Sequence, residues 1–181
     1  MKKIILNNKK DERNSEKKRD RIEKIKLHQD LSNCIINIVN NHDSQVNLIN
    51  KIYLDQDFRE KKFIIQQINC KISSYRQQDI RKDRHEKQNL ITIDNVIEKL
   101  VISKLKCFYC KIPLLIIFDK IRDQNQWTLD RLNNYDEHTN KNTIISCLKC
   151  NLERRRKNSE KFLFTKQLQT NQIKIKKIEN D

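Results

Sequence analysis

Four of the six cysteines fall in two tight pairs, Cys107 and Cys110 in "CFYC", then Cys147 and Cys150 in "CLKC". Each pair leaves two residues between its thiols, a spacing that lets one turn present two sulfurs to one ion. Zn²⁺ takes four thiolates in a tetrahedron, so the second pair closes the shell that the first opens. The expectation is that Cys107, Cys110, Cys147 and Cys150 bind one structural zinc. Two redox pairs, or a chance spacing, are the competing readings. The flanking segment, from residue 92 to 165, has few aromatic residues and a small core. Small domains of this kind commonly need a metal to stay folded. Cys34 and Cys70 stand alone in apolar-periodic segments and read as buried core residues.

Glycine is absent and proline occurs once, at Pro113. Gly-rich phosphate-cradling loops are therefore excluded, and positive-φ positions should fall mostly to Asn and Asp. Lys and Arg number 39 against 24 Asp and Glu, a formal charge of +15. A polyanionic partner is the first inference, against a merely basic protein in a Lys-rich background. No apolar run approaches about 18 residues, so nothing is expected to span a membrane. The start, "MKKIILNNKK", has an apolar stretch too short for a secretory signal. An intracellular protein is expected, in the cytoplasm or nucleus, where paired cysteines more often hold metal than form disulfides.

Along the chain, residues 1–30 form a basic, mixed-charge segment, read as disordered or as a solvated helix. Residues 31–90 form a helical region: Ile35, Ile38, Val39, Val46, Ile49, Ile52 and Tyr53 recur at helical spacing, and Phe63, Ile64, Ile68 and Ile72 continue it. Residues 76–90 are polar, a linker or an exposed helix. In "TIDNVIEKLVISKL" Asp94 is the expected N-cap, with Ile93, Val96, Ile97, Leu100 and Val101 on one face. "PLLIIF" and "QWTLDRL" read as a β-hairpin joined by "DKIRDQN", and "TIIS" as a further short strand. "LKCNLERRRKNSEKFLFTKQL" reads as one helix, and residues 169–181 as a basic tail.

The stretch "WTLDRLNNYDEHTNKNTIISCLKCNLERR", with the first cysteine pair before it, resembles the zinc-containing HNH (ββα-metal) endonucleases of phages and large DNA viruses. It is similar in layout to the phage recombination endonuclease VII family, which cuts branched DNA. The likeness covers Thr92 to Lys166. It implies an α+β fold, with a helical N-terminal region followed by a small zinc-stabilised ββα-metal module over residues 91–168. It also implies hydrolysis of DNA phosphodiesters with Mg²⁺ or Mn²⁺. By the resemblance Asp130 and Asn151 ligate the catalytic metal, and Asn142 orients the catalytic His.

The residue after the hairpin Asp is usually that His, the general base; here it is Arg131, which cannot take a proton from water near pH 7. His138, in the polar loop, is the substitute base, with an exposed loop His as its alternative. Arg131 would pair with the scissile phosphate, or else with Asp136 or Glu137. The other readings stay open beside these: Asp130 as a hairpin surface charge, Asn142 as a turn residue, Asn151 as a polar helix start. Arg154, Arg155, Arg156 and Lys157 would lie along nucleic-acid phosphates, or form a solvated basic face. Trp127 belongs under the hairpin or stacks on a base. The partner implied is nucleic acid, DNA first, and a homodimer through the N-terminal helices is an open option. The alternative function is a zinc-ribbon module that binds nucleic acid without cutting it.

Overall fold

A computed structural model describes residues 41–84, 89–118 and 120–178. Chain contacts separate Met1–Asn37 from Ile38–Asp181, and all described residues belong to the second unit. The expectations for residues 1–30, for Ile35 to Val39 and for Cys34 lie outside the described residues.

Helix α1 spans His42–Tyr53 and α2 spans Lys61–Arg81. Asn41 caps α1, its side chain accepting from the Ser44 N–H at 3.1 Å. The stripe Ile64, Ile68, Ile72 is buried on α2, each such side chain stabilising by about 1.5–3 kcal/mol. The same helical register carries Tyr75 and Asp79 onto that inward face. Helix α3 spans Ile93–Ile102 and buries Val96, Ile97 and Leu100 against α1 and α2. Its N-cap is Thr92, not Asp94: the Thr92 hydroxyl accepts from the Asn95 N–H at 3.3 Å, which leaves Asp94 in the first turn. Of residues 76–90, read as a linker or an exposed helix, residues 76–81 are helical: α2 runs through to Arg81.

Strand β1, Trp127–Arg131, pairs antiparallel with β2, Thr143–Cys147, so that Leu129 faces Ile145 and Arg131 faces Thr143. The result is a mixed fold of helices plus a two-stranded sheet, α+β in class. The expected hairpin partner was "PLLIIF", and it is not a strand. Gln45 of α1 takes the place of a strand there: its Oε1 accepts from the Ile116 and Ile117 N–H groups at 2.7 and 3.2 Å, and its Nε2 donates to the Ile117 carbonyl at 3.1 Å. With its backbone satisfied by a side chain, the segment stays buried without a ladder. Helix α4, Leu148–Arg154, and helix α5, Ser159–Ile178, replace the single expected helix. Arg155, at φ 51°, stops α4. Asn158 Oδ1 restarts the chain by accepting from the Glu160 and Lys161 N–H groups at 3.0 and 3.1 Å. Helix α5 extends through much of the expected tail.

Positive φ is not confined to Asn and Asp. Asp55 and Asp83 adopt it, but so do Lys104, Leu105, Lys111, Arg122 and Arg155. Tertiary contacts hold these positions against the steric cost. The Leu105 carbonyl, for example, accepts from Leu114 N at 2.7 Å and lies 3.0 Å from His42 Nε2. Among the described residues no helix is long and apolar enough to cross a membrane.

Candidate active site beside a four-cysteine centre

The first cysteine pair sits on a turn closed by Lys111, whose N–H donates to the Cys107 carbonyl at 3.0 Å. The second pair is set by a helix start: Cys147 ends β2 and caps α4, its Sγ accepting from the Cys150 N–H at 3.2 Å. The two turns are tied directly, because Cys147 N–H donates to Cys107 Sγ at 3.3 Å and Phe108 N–H to the Ile145 carbonyl at 3.0 Å. All four sulfurs lie within 4.8 Å of one another. Cys110 and Cys147 are 3.8 Å apart, and a tetrahedron with bonds of about 2.3 Å has edges of about 3.8 Å. The cluster could hold a metal such as zinc. Its protons point the same way: donation from Cys110, Cys147 and Cys150 holds the Cys107 thiol far below its ordinary range, while neighbouring sulfurs, Cys107 first, push Cys147 and Cys150 up. Cys110 is also lowered, to about 7, so the four thiols do not ionise alike, and a cation is needed to hold all four as thiolates. Cys70, by contrast with its expected core role, is exposed on α2.

Beside this centre His138, Asp130, Arg131 and Asn151 line one cavity of about 500 Å³. They come from the loop after β1, from β1 itself and from α4. Three exposed cations, Lys82, Arg122 and Arg155, share the wall. His138 is not a solvent-exposed loop residue; it is buried, with 4% of its side chain accessible. Its Nδ1 lies 2.8 Å from Asp79 Oδ2, and its backbone N–H donates to the same oxygen at 2.8 Å. Asp79 is fully buried on α2. With Nδ1–H donated to the carboxylate, Nε2 is the lone-pair nitrogen, and no protein group among the described residues bonds it. Burial holds the imidazole pKa below its ordinary value, opposed by Asp79. Arg131 does not pair with an Asp136 or Glu137 carboxylate: its Nη1 donates to the Asp136 carbonyl at 3.1 Å and reaches Asp79 Oδ1 at 3.4 Å.

Asp130 is no surface charge. It is 4% exposed and accepts from the Tyr109 hydroxyl at 2.7 Å and from Arg154 Nε and Nη2 at 2.6 and 2.7 Å. Asn151 donates its amide to Thr128 Oγ1 at 3.1 Å and to the Leu129 carbonyl at 3.3 Å. Its Oδ1 accepts nothing among the described residues. A hard cation such as Mg²⁺ takes oxygen ligands and usually binds through one or two carboxylates, phosphates and water. Asp130 Oδ1 accepts a single bond and Asn151 Oδ1 none among the described residues, so both oxygens keep lone pairs that a hard cation could use alongside phosphate and water. They do not fit one held by protein alone, because Arg154 already offsets the carboxylate's charge.

Asn142 does not touch the imidazole. Its Nδ2 donates to the Asn133 and Glu137 carbonyls, both at 3.0 Å, and its Oδ1 accepts from Asn133 N–H at 2.8 Å. It braces the loop that carries His138, while Asp79 orients the ring. Trp127, the first residue of β1, is buried, with Lys71 Nζ 4.6 Å from its ring centre.

The basic run divides. Arg154 is fully buried on Asp130 and cannot meet a phosphate. Arg155 and Lys157 line an open groove of about 1340 Å³ along α4 and α5, with Lys149 and Lys161 beside them. Arg156 is exposed but lines neither groove nor cavity. Arg155 and Leu152 border both spaces. Sequence reasoning missed Tyr75, Asp79 and Lys82, because they belong to the helical region. The available signal was Asp79 itself, a carboxylate falling on the apolar stripe of α2.

No protein-family model, curated protein or solved structure matches this chain significantly.

Proposed function

We propose that the chain is a metal-dependent endonuclease of the zinc-containing HNH type, hydrolysing DNA phosphodiester bonds. One observation carries the reading: His138, Asn151 and the adjacent pair Asp130 and Arg131, from three separate stretches of the chain, border a single cavity with three more cations on its wall. The groove along α4 and α5 supplies the approach for the backbone, since exposed Lys and Arg side chains hold phosphates without reading sequence.

In the cavity Arg131, Arg155, Lys82 and Arg122 gather a phosphodiester, the guanidinium groups offering paired N–H donors. Nε2 of His138 removes a proton from the attacking water. Asp130 and Asn151 would hold Mg²⁺ or Mn²⁺, which supplies Lewis-acid stabilisation of the phosphate's developing charge. Arg154 and Tyr109 fix the Asp130 carboxylate from behind. Zinc on the four cysteines fixes β2 and α4, and with them Asn151.

The second reading, a nucleic-acid-binding module without catalysis, draws on the Arg154–Asp130 pair, which leaves the carboxylate little net charge for a cation. A nicking assay separates the two. Supercoiled plasmid and branched DNA are incubated with Mg²⁺ or Mn²⁺ and either the native chain or Asn151→Ala. Cleavage by the native chain, lost in Asn151→Ala with DNA binding kept, supports the enzyme. Binding without cleavage by the native chain favours the second reading.

A further inference from the structure

We propose that Asp79 of α2 is a positioning residue for His138: it fixes the Nδ1–H tautomer with Nε2 at the cavity and stabilises the imidazolium formed when Nε2 takes a proton. The helical region is thereby part of the active site rather than an appendage to it. This rests on the nuclease reading above.

The geometry is that of an oriented base. Nδ1 lies 2.9 and 2.8 Å from the two Asp79 oxygens. The Tyr75 ring, one turn earlier on the same helix, packs on the imidazole with centroids 4.7 Å apart and planes tilted by 35°. Tyr75 is itself fixed, its hydroxyl accepting from Leu129 N–H at 3.0 Å. The backbone of His138 has bonds of its own: its N–H donates to the same Asp79 carboxylate, and its carbonyl, independently of Asp79, accepts from Ile91 N–H at 2.8 Å. Anchoring the loop therefore does not require the ring bond, which is left with orienting the imidazole. The alignment follows from the register of α2: the stripe that buries Ile64, Ile68 and Ile72 must bury Asp79 too, and a buried carboxylate needs partners. The charged and titratable groups facing the ring are Asp79 and Tyr75 from α2, and Arg131 and Asp130 from β1.

The test uses the full chain and Asp79→Asn, which keeps the shape and an acceptor oxygen but removes the charge. Zinc content, DNA affinity and KM should be unchanged, while kcat falls about 10–100-fold. The acidic limb of the kcat profile should move to lower pH, because the imidazolium loses its counter-charge. Long-range ¹H–¹⁵N spectra of the native chain should show His138 protonated at Nδ1. An active native chain with unchanged kcat and limb in Asp79→Asn would reduce Asp79 to a structural brace. A native His138 protonated at Nε2 would overturn the proposal whether or not the chain cleaves DNA, and even if the variant fails to fold. A native chain that binds DNA, shows the Nδ1–H form and never cleaves overturns the catalytic role of Asp79 together with the nuclease reading. In that event the spectrum alone assigns it the tautomer.

Discussion

Arg154 spans both oxygens of Asp130, Nε at 2.6 Å and Nη2 at 2.7 Å, while the Tyr109 hydroxyl meets the same carboxylate at 2.7 Å. The three residues come from α4, β1 and the first cysteine turn. One carboxylate thus joins the two cysteine turns behind the cavity. Arg154 also donates to the Arg131 carbonyl and to Asn134 Oδ1 at 3.0 Å, so it pins the loop start as well. Burial disfavours the guanidinium charge, yet Asp130 holds its pKa above the ordinary value.

Breaking this pair should be costly. Arg154→Ala leaves Asp130 buried without its counter-charge, and such losses run to about 3–5 kcal/mol. Arg154→Lys keeps the charge but loses the fork and should recover only part. Chemical denaturation checks both. An Arg154→Ala variant as stable as the native chain would show that the pair carries no stability.

Metal on the cysteines should be required for the sheet and α4. We expect one zinc per chain by elemental analysis, and loss of ordered structure around Trp127 on chelation, read by its fluorescence. Cys107→Ser or Cys150→Ser should do the same, since three thiolates leave the tetrahedron open. A chain that keeps its Trp127 emission after complete zinc removal would contradict this.

DNA affinity should fall steeply with salt, as neutralised phosphates release counterions. Lys157→Ala and Lys161→Ala, on the groove, should each lower the salt slope by about 1. Arg156→Ala should change it little, because Arg156 lines neither groove nor cavity. Equal effects at all three positions would replace the groove with diffuse attraction.

Stability should depend on His138 with a definite sign. Burial lowers its folded pKa below the unfolded value of 6.5, so the unfolded chain takes the proton first as pH falls. The contribution is whole above pH 6.5 and is lost as pH drops towards the folded pKa. Melting temperatures between about pH 5 and 7 should fall less steeply in His138→Gln than in the native chain. The same burial keeps the base unprotonated below pH 6.5, and the acidic limb of cleavage should lie there. A limb well above 6.5 would exclude His138 as the base.

By itself the sequence determined what depends on local spacing. Two C-x2-C turns set four sulfurs for one centre, because two residues are the length of a turn that presents both thiols. The apolar periods of α1, α2 and α3 follow from the same 3.6-residue repeat that builds a helix. The polar loop between the cysteine pairs and the residue after the second pair marked His138 and Asn151 as residues to watch, and both line the cavity. The tertiary structure alone decided what depends on partners far along the chain. Whether "PLLIIF" pairs as a strand was settled by Gln45, 71 residues from Ile116, since a side-chain amide can satisfy a backbone as well as a ladder can. Whether His138 is a loose loop residue or a buried, oriented imidazole was settled by Asp79, 59 residues away. Whether Arg154 faces phosphate or core was settled by Asp130, because a buried carboxylate claims the nearest cation and a solvated basic run has no preference of its own.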